Sequence, residues 1–565
     1  MNYPTFLKKT DQLTSITDAD SLRSFIHEIA RTIPESSRRR FLTTLNSFCA
    51  DPSDKLIVEK ETDTYLEVRV DSILKALKEI HAGERELECE YNEQWDDWRD
   101  DEDDAYRFSD PDNLLDDITA AVNVLHQCLD KKKYAKGAEL ARALAELDIH
   151  VSGDYDDDKM GIQELADYDL LEVELGETIK EAVYLTYMGT REAGRAEAML
   201  TVMDKFGDNS VSLEDILQTG LDEIDLDSLL PSWIEALAKR PERTSAKLLA
   251  EAQDLLQDKK AVLEYASRYA ESHPILYYNI LRTGICDAVP GEMLQIGLRG
   301  MKEVQVNHPI RSKISLLTAE YALAAKDRQM AEKCWLEAFR TLPTVENYLR
   351  IRIQSQHWDK YAQNVRIIYT EYYKSRSTWE KKPLAALMFF DERFEEMINL
   401  FMKAGTGIGW SSTFMKGGIA LLLMLLDSEA TCRQGMTAML DKAIDACSFD
   451  GESYREGTDL DSDTSTAVLF QDCFKRWKTQ IVIPEDVCEL WLKEIDKWIA
   501  LRVAAIMDAN RRNYYGECAA FVAAYGEVLA SRGKPGEKER IMEQYKTEYS
   551  RRRAFHEELR SFGMK

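Results

Sequence analysis

Three aspartates spaced two apart, Asp154, Asp156 and Asp158, recur as Asp459, Asp461 and Asp463, the spacing with which a calcium loop begins. Such a loop needs glycine at its sixth position for a tight turn and a bidentate glutamate at its twelfth. Lys159 and Leu165 hold those places in the first run, Thr464 and Phe470 in the second. Both runs are therefore expected to be acidic surface loops. His27-Glu28 and His556-Glu557 lack a second histidine four residues on, so neither is a zinc-protease helix. Gly405, Gly407 and Gly409 are spaced like part of a dinucleotide loop, but the pattern before them is helical. Ser412 also stands where that loop needs its last glycine. There is no Gly-Lys-Ser/Thr phosphate loop, no Gly-x-Ser-x-Gly elbow and no Cys-x-x-Cys pair. The expectation is a non-enzymatic chain with no catalytic, metal-binding or cofactor-binding residue.

Basic clusters carry the remaining chemistry. Arg38-Arg39-Arg40 and Arg551-Arg552-Arg553 are each expected on a helix, where three consecutive side chains fan over about 200° and only one or two face a common partner. Arg511-Arg512-Asn513-Tyr514-Tyr515 sets arginines beside aromatic rings, a combination that stacks on bases or peptide side chains. From Lys534 onward nine basic residues face six acidic ones, reversing the sign of the rest of the chain.

That rest is strongly acidic: 101 Asp and Glu against 73 Lys and Arg give a net charge of −28 over 565 residues. A field of this sign repels phosphate and anionic lipid at long range, which disfavours nucleic acid as the partner. The ten cysteines stand singly, several on apolar helix faces, as expected of small buried hydrophobes in a reducing compartment. Neither a signal-peptide core nor an apolar run approaching the ~20 residues of a bilayer span occurs. The longest run is Ile419 to Leu426. The chain is read as cytoplasmic, with no membrane contact.

The elements that must position these groups are helices throughout. The segment to about residue 82 reads as three helices, although Tyr65 to Val70 fits a strand as well. Arg85 to Tyr91 alternates polar and apolar residues, so a small β-hairpin near residues 64–92 is allowed. Residues 93–104 form an acidic run interrupted by Trp95 and Trp98, expected to be a loop anchored by its tryptophans. Helical hairpins follow from Asn113, and the glycine turn at Gly405 is the expected domain boundary. Beyond it lie helices from Ser412 to Leu426 and Ala430 to Cys447, a long one starting near Pro484, one over Tyr514 to Ala530, and a last one over Glu537 to Arg560. The expected architecture is all-α: an irregular α-solenoid of stacked hairpins. Its domains are 1–112 (an N-terminal helical segment), 113–404 (the repeat region) and 405–565 (a C-terminal helical domain).

The clearest hairpin runs from Ser312 to Pro343, turning at Lys326-Asp327-Arg328. Its second helix places Ala331, Cys334, Trp335, Ala338 and Leu342 on one face. A hairpin of this size cannot bury its own apolar stripe and must stack on neighbours. The unit resembles a tetratricopeptide repeat at Ala319, Ala331, Trp335, Ala338 and Pro343, while the Trp and Leu-Gly positions of that repeat's first helix are missing. The resemblance extends loosely over 113–404. The whole chain is also similar to a group of helical proteins common in clostridia, through Gly409 to Lys416, Asn510 to Cys518 and Tyr549 to His556. Similar helical regions accompany SWIM-type zinc fingers, whose Cys-x-Cys and Cys-x-His ligands are absent here. These resemblances imply an interaction scaffold and name no activity.

The expected function is thus to bind a protein partner along stacked hairpins. Tyr277, Tyr278, Arg282, Tyr348, Arg352 and Tyr369 are the groove candidates, joined by Arg511, Arg512, Tyr514 and Tyr515. A nucleic-acid-associated regulator using the basic C-terminal helices is the alternative, and an enzyme with a dispersed site the weaker one.

Overall fold

The computed structural model describes residues 10, 13–32, 41, 45, 63–91, 106–155, 158–171, 173–207, 211–220, 224–256, 258–284, 289–376, 381–402, 407–411, 413–429, 433–456 and 463–564. The acidic run with Trp95 and Trp98, the Arg38-Arg39-Arg40 cluster, and Asp156, Asp459, Asp461, Gly405 and Ser412 lie outside the described residues. The described chain is helical apart from one four-stranded sheet. It divides into two compact units, Met1–Tyr265 and Ala266–Lys565. The division falls within a helix and not at the glycine turn.

In the first unit, α1 (Ala19–Thr32) precedes α2 (Asp63–His81). Residues 65–70 are helical and not a strand, because Leu66, Val70, Ile73, Leu74, Leu77 and Ile80 recur every three or four residues and are all buried. Strand β1 (Leu87–Tyr91) keeps the expected alternation, burying Leu87 and Cys89. Its partners lie outside the 64–92 window. β2 (Tyr106–Ser109) pairs antiparallel with it, Tyr91 opposite Tyr106, and β3 (Ile149–Gly153) pairs parallel, Leu87 opposite Val151. β4 (Lys159–Met160) completes the order β2-β1-β3-β4. Asp154, the first residue of the supposed calcium loop, accepts the Tyr91 N–H at 3.1 Å and so serves the sheet.

The helices of this unit are α3 (Leu114–Asp130), α4 (Tyr134–Ala145), α5 (Ile162–Asp167), α6 (Leu175–Gly189), α7 (Arg195–Phe206), α8 (Leu213–Thr219), α9 (Leu226–Leu237) and α10 (Glu242–Leu255). Each long helix packs on its successor or the one after, α4 on α6, α6 on α7 and α8, and α7 on α9. Helices α6 and α7 are parted by a short 3-10 turn at Glu192–Gly194.

The unit boundary lies in α11 (Lys259–Arg268). Beyond it come α12 (Ile275–Thr283), α13 (Pro290–Glu303), α14 (Pro309–Ala324), α15 (Arg328–Thr341), α16 (Val345–Gln354), α17 (Trp358–Lys374), α18 (Lys382–Phe390) and α19 (Phe394–Met397). The expected hairpin is α14 and α15. Lys326 adopts a left-handed φ of 63° at the turn, and the Asp327 side chain caps α15 by accepting the Met330 N–H at 3.0 Å. Ala331, Cys334, Trp335 and Ala338 are buried as one face.

The C-terminal helices are α20 (Met415–Leu426), α21 (Gln434–Cys447), α22 (Glu452–Arg455), α23 (Thr466–Lys478), α24 (Glu485–Asp508), α25 (Tyr515–Ser531), α26 (Glu537–Glu548) and α27 (Arg553–Ser561). They share one core with the hairpins, α22 and α23 lying on α16 and α21 on α18. Helices before and after residue 405 thus contribute to the same core. Beyond that point Gly407 packs closely on α24: a Cβ there would sit 2.6 Å from the Leu501 carbonyl oxygen.

The seven described cysteines Cys89, Cys128, Cys334, Cys447, Cys473, Cys488 and Cys518 are free and buried. Burial pushes the Cys334 thiol up to about 12. Among the described residues no helix is long and apolar enough to cross a membrane.

Candidate partner-binding groove

Helix α24 has two working faces. Cys488, Trp491, Leu492, Ile495, Ile499, Arg502, Val503 and Ile506 recur at three- and four-residue steps and are buried. The opposite stripe, Asp496, Lys497, Ala500, Leu501 and Ala504, is turned away from that core. It lines a groove of about 780 Å³ with Tyr525 and Leu529 of α25 and residues of α26. Helix α25 is buried almost all round and packs on both walls. Glycine at 526 is required for that packing, since a Cβ there would lie 2.5 Å from the Lys538 Cα. From α26, Arg540, Ile541, Gln544, Tyr545 and Glu548 face the groove. Leu501 is 61 % exposed in its wall.

Electrostatics within the groove are mixed. Arg540 is held by Glu537 (2.9 and 2.7 Å) and Lys497 by Glu494 (2.6 Å). Partial burial pushes the Asp496 carboxyl above its ordinary range, opposed by the Arg540 charge. Burial likewise raises the phenols of Tyr525, Tyr545 and Tyr549. All three tyrosines are therefore neutral lining groups near pH 7.

Beyond Tyr549, on which the Glu548 and Asp508 carboxylates act, the chain turns through an arginine run. The helix expected over Glu537 to Arg560 is broken at Tyr549–Arg552, so the arginine run does not fan round a helix. Arg551 and Arg552 lie in the turn, and Arg553 begins α27. Two packing directions explain the break: Ile541, Met542 and Tyr545 bury one way from α26, Phe555 and Leu559 another from α27. Arg552 then donates from Nη1 to the Asn510 side chain and from Nη2 to the Met507 carbonyl, both at 2.6 Å. This bond pair brings the 549–553 turn to the C-terminus of α24, which ends at Asn510 in the left-handed region, φ 52°. Arg551 and Arg553 consequently share this end with Arg511 and Arg512. All four are exposed, and no side chain among them has a hydrogen-bond or ion-pair partner among the described residues. The two C-terminal arginine clusters singled out in the sequence thus form one edge.

The other expected site residues are dispersed. Burial removes Tyr277, Tyr348, Tyr369 and Tyr515 from any partner-facing surface. Tyr277 donates to Glu303 at 2.6 Å and Tyr369 to Asp391 at 2.7 Å. Tyr348 donates to the Phe390 carbonyl at 3.2 Å, while the Tyr515 ring packs on Phe555. Tyr278 is half-buried, with its hydroxyl on Glu456, and Tyr514 lies under the Arg502 guanidinium, 5.1 Å away. The half-buried Arg352 is occupied by Gln480, Glu392 and the Trp358 ring. Helix α23 covers this face of α16 and α18, since Trp477 Nε1 donates to the Phe390 carbonyl at 2.9 Å. Arg282 is exposed and bonded to Asn279. Of the expected set none lines the groove; Arg511 and Arg512 lie just beyond the C-terminus of α24. Leu501, Tyr525, Tyr545 and Tyr549 were missed. Their signal was a second apolar stripe on α24, Ala500-Leu501-Ala504, opposite its tryptophan–isoleucine stripe.

Perturbed ionisable groups collect elsewhere, beneath α16. Arg350 is wholly buried; burial lowers it to about 10. It donates to Asn347 Oδ1 at 2.8 Å and to the Ser453 carbonyl, with its guanidinium 5.2 Å from the Tyr454 ring centre. Glu346 accepts the N–H groups of Asp450 and Gly451 at 2.9 and 2.7 Å; burial raises its carboxyl to about 7. Shifts of this kind occur at functional sites and in structural ion-pair networks alike. Here the hydrogen bonds are spent on the 450–453 backbone. Among the described residues no group of three His, Cys, Asp or Glu side chains is arranged to hold a metal ion.

Comparison with protein-family models and with curated proteins gives no match.

Proposed function

We propose that the chain is a non-enzymatic, cytoplasmic helical scaffold that binds a protein partner, with the α24–α25–α26 groove as its binding face. The observation that carries this reading is Leu501, an exposed leucine in the wall of a tyrosine-floored groove of about 780 Å³. A concave surface lined by apolar and aromatic side chains with a few polar groups is where a soluble domain most often binds. Within each unit, consecutive helices packed on one another supply the frame, in keeping with the resemblance to tetratricopeptide repeats. Burial of the seven described free cysteines fits a reducing compartment. The Glu346–Arg350 cluster, bonded to its own backbone, supports a structural role for the buried ionisable groups.

The test is capture with chemical crosslinking in the native cells, using the full chain and a Leu501→Arg variant. Exposure of Leu501 leaves the fold intact in that variant. Partner proteins held by the parent and lost by the variant support the reading. A chain that retains only small metabolites, in both forms, defeats it.

One observation favours the second reading, a nucleic-acid-associated regulator: the four exposed arginines at one edge of an acidic chain. Four phosphate contacts to single-stranded RNA give a log–log salt slope of about −3. Anisotropy of a short labelled RNA that shows this slope, and binding at physiological salt, would replace the protein-partner reading.

A further inference from the structure

A separate cavity of about 450 Å³ lies where α20, α21 and α23 meet, and it shares no lining residue with the groove. Its volume is that of a small-molecule site. The floor is apolar. Leu425 and Leu426 close α20, Met436 and Leu440 lie about one turn apart on α21, and Phe474 comes from α23. Helix α20 stops there because Asp427 turns to extended backbone, φ −65° and ψ 126°, and leaves the last carbonyls of the helix to outside donors.

The charges of the lining do not cancel. Gln471, Lys475 and Lys478 follow at four- and three-residue steps on α23 and so share its face towards the cavity. Lys475 is exposed, with no hydrogen-bond or ion-pair partner among the described residues. Lys478 gives two of its three N–H donors to the carbonyls of Met424 and Asp427, at 2.8 and 2.5 Å. Burial lowers the Lys478 ammonium below its ordinary range; the Asp427 charge opposes this and the Arg532 charge adds to it. Both carboxylates of the lining are taken, since Arg433 meets Asp427 at 2.5 Å and Glu429 at 3.3 Å. Arg532 is likewise held, by Glu485 and the Leu426 carbonyl. Capping α20 therefore accounts for Arg532 and for two donors of Lys478. It leaves one N–H of Lys478 and the whole of Lys475 unspent beside an apolar floor. We infer that this cavity binds a small organic anion, a carboxylate on an apolar body, with the carboxylate on Lys475 and Lys478 and the body over Phe474 and Leu440.

Calorimetric titration of the full chain tests this with phenylbutyrate and phenylbutylamine, one apolar body carrying opposite charges. Expected is saturable binding of the carboxylate at one site with a Kd below about 1 mM, and binding of the amine at least about ten-fold weaker. Lys475→Glu should weaken the carboxylate about ten-fold, while Lys475→Arg keeps it. The side chain is exposed and unpaired, so both variants fold. A diazirine-bearing carboxylate of the same length, irradiated on the full chain and mapped by mass spectrometry, should label α21 and α23 around Leu440 and Phe474. Amine binding as tight as the carboxylate, an affinity indifferent to Lys475→Glu, labelling elsewhere, or no saturable binding of phenylbutyrate overturns the inference. The groove is tested separately, by the Leu501→Arg variant, so either reading can fail without the other.

Discussion

Arg502 meets Glu517 at a single carboxylate oxygen, 3.1 Å from Nε and 2.8 Å from Nη2, with both side chains nearly sealed from solvent. Its Nη1 donates to the carbonyls of Gly407 and Ile408, both at 2.9 Å, and the guanidinium lies over the rings of Trp410 and Tyr514. One side chain therefore ties α24 to α25 and to the turn at 407–411. Truncating one partner of a buried pair leaves the other charge uncompensated, which costs about 3–5 kcal/mol, whereas replacing both by apolar groups of similar volume is close to neutral. Arg502→Ala should lower the unfolding free energy of the full chain, read from denaturant curves, by up to that amount, less what Lys416 Nζ, 3.8 Å from the second Glu517 oxygen, makes up. Arg502→Met combined with Glu517→Leu should restore most of it. A single variant within about 1 kcal/mol of the parent would show that the packing of Trp410, and not the ion pair, holds this corner.

Glu346 sets a pH dependence. It is only 3 % exposed, and burial raises its carboxyl to about 7 against the lowering influence of Arg350. The folded chain keeps this proton up to about pH 7, while the unfolded chain releases it near the ordinary glutamate value. The folded state binds more protons in between, so this group's contribution is complete below about pH 4.5 and declines as pH rises to 7. Above that it is constant. Glu346→Gln keeps an acceptor for the Asp450 and Gly451 N–H groups and removes the titration. Relative to the parent it should be similar at pH 5 and more stable at pH 8, by up to about 3 kcal/mol. Denaturation at the two values decides it: a parallel pair of curves would mean that Glu346 is ionised in the folded state.

Two glycines give opposite expectations. At Gly526 an added methyl group would meet the Lys538 Cα at 2.5 Å, backbone against backbone, so α26 must move away from α25. Gly526→Ala should destabilise by about 1–3 kcal/mol and weaken capture at the groove, whose far wall is α26. Gly291 lies in the first turn of α13 with nothing within 4 Å of the added position. Gly291→Ala should stabilise by up to about 1 kcal/mol, by removing the backbone freedom of the unfolded chain. Thermal melts of the two variants, shifted in opposite directions, are the expected result.

The α14–α15 hairpin was legible because its signals are local: the three- and four-residue apolar spacing ending at Ala338, a turn at Lys326, and Asp327 positioned to cap. The sheet was only half legible. Alternation marked β1, but its partners Tyr106–Ser109 and Ile149–Gly153 are short and distant, and pairing at that range leaves no periodic trace. The groove was legible least. Tyr348 and Tyr369 show the same helical spacing whether they face a partner or a core, and the helices that bury them come from far along the chain. The arginine edge failed for a related reason: a helix was expected through Tyr549–Arg552, and only the break at that point brings Arg551 and Arg553 round to Arg511.

That break gives the edge its own test. Arg552 spans from its turn to the Asn510 side chain and to the Met507 carbonyl, so it positions its neighbours without facing a partner. Arg552→Ala removes both charge-assisted bonds, a loss of about 1–3 kcal/mol to the local structure. Local opening of the turn should then become about five- to 150-fold more frequent. Amide hydrogen exchange over Tyr549–Arg553 reads this directly, with α25 as the internal standard because its burial ties its exchange to global unfolding. Arg552→Lys keeps the charge but not the planar fork and should fall between the two. Exchange unchanged by the truncation would mean that Phe555 and Leu559, packed from α27, hold the turn by themselves, and that the two arginine clusters are neighbours through helix packing alone.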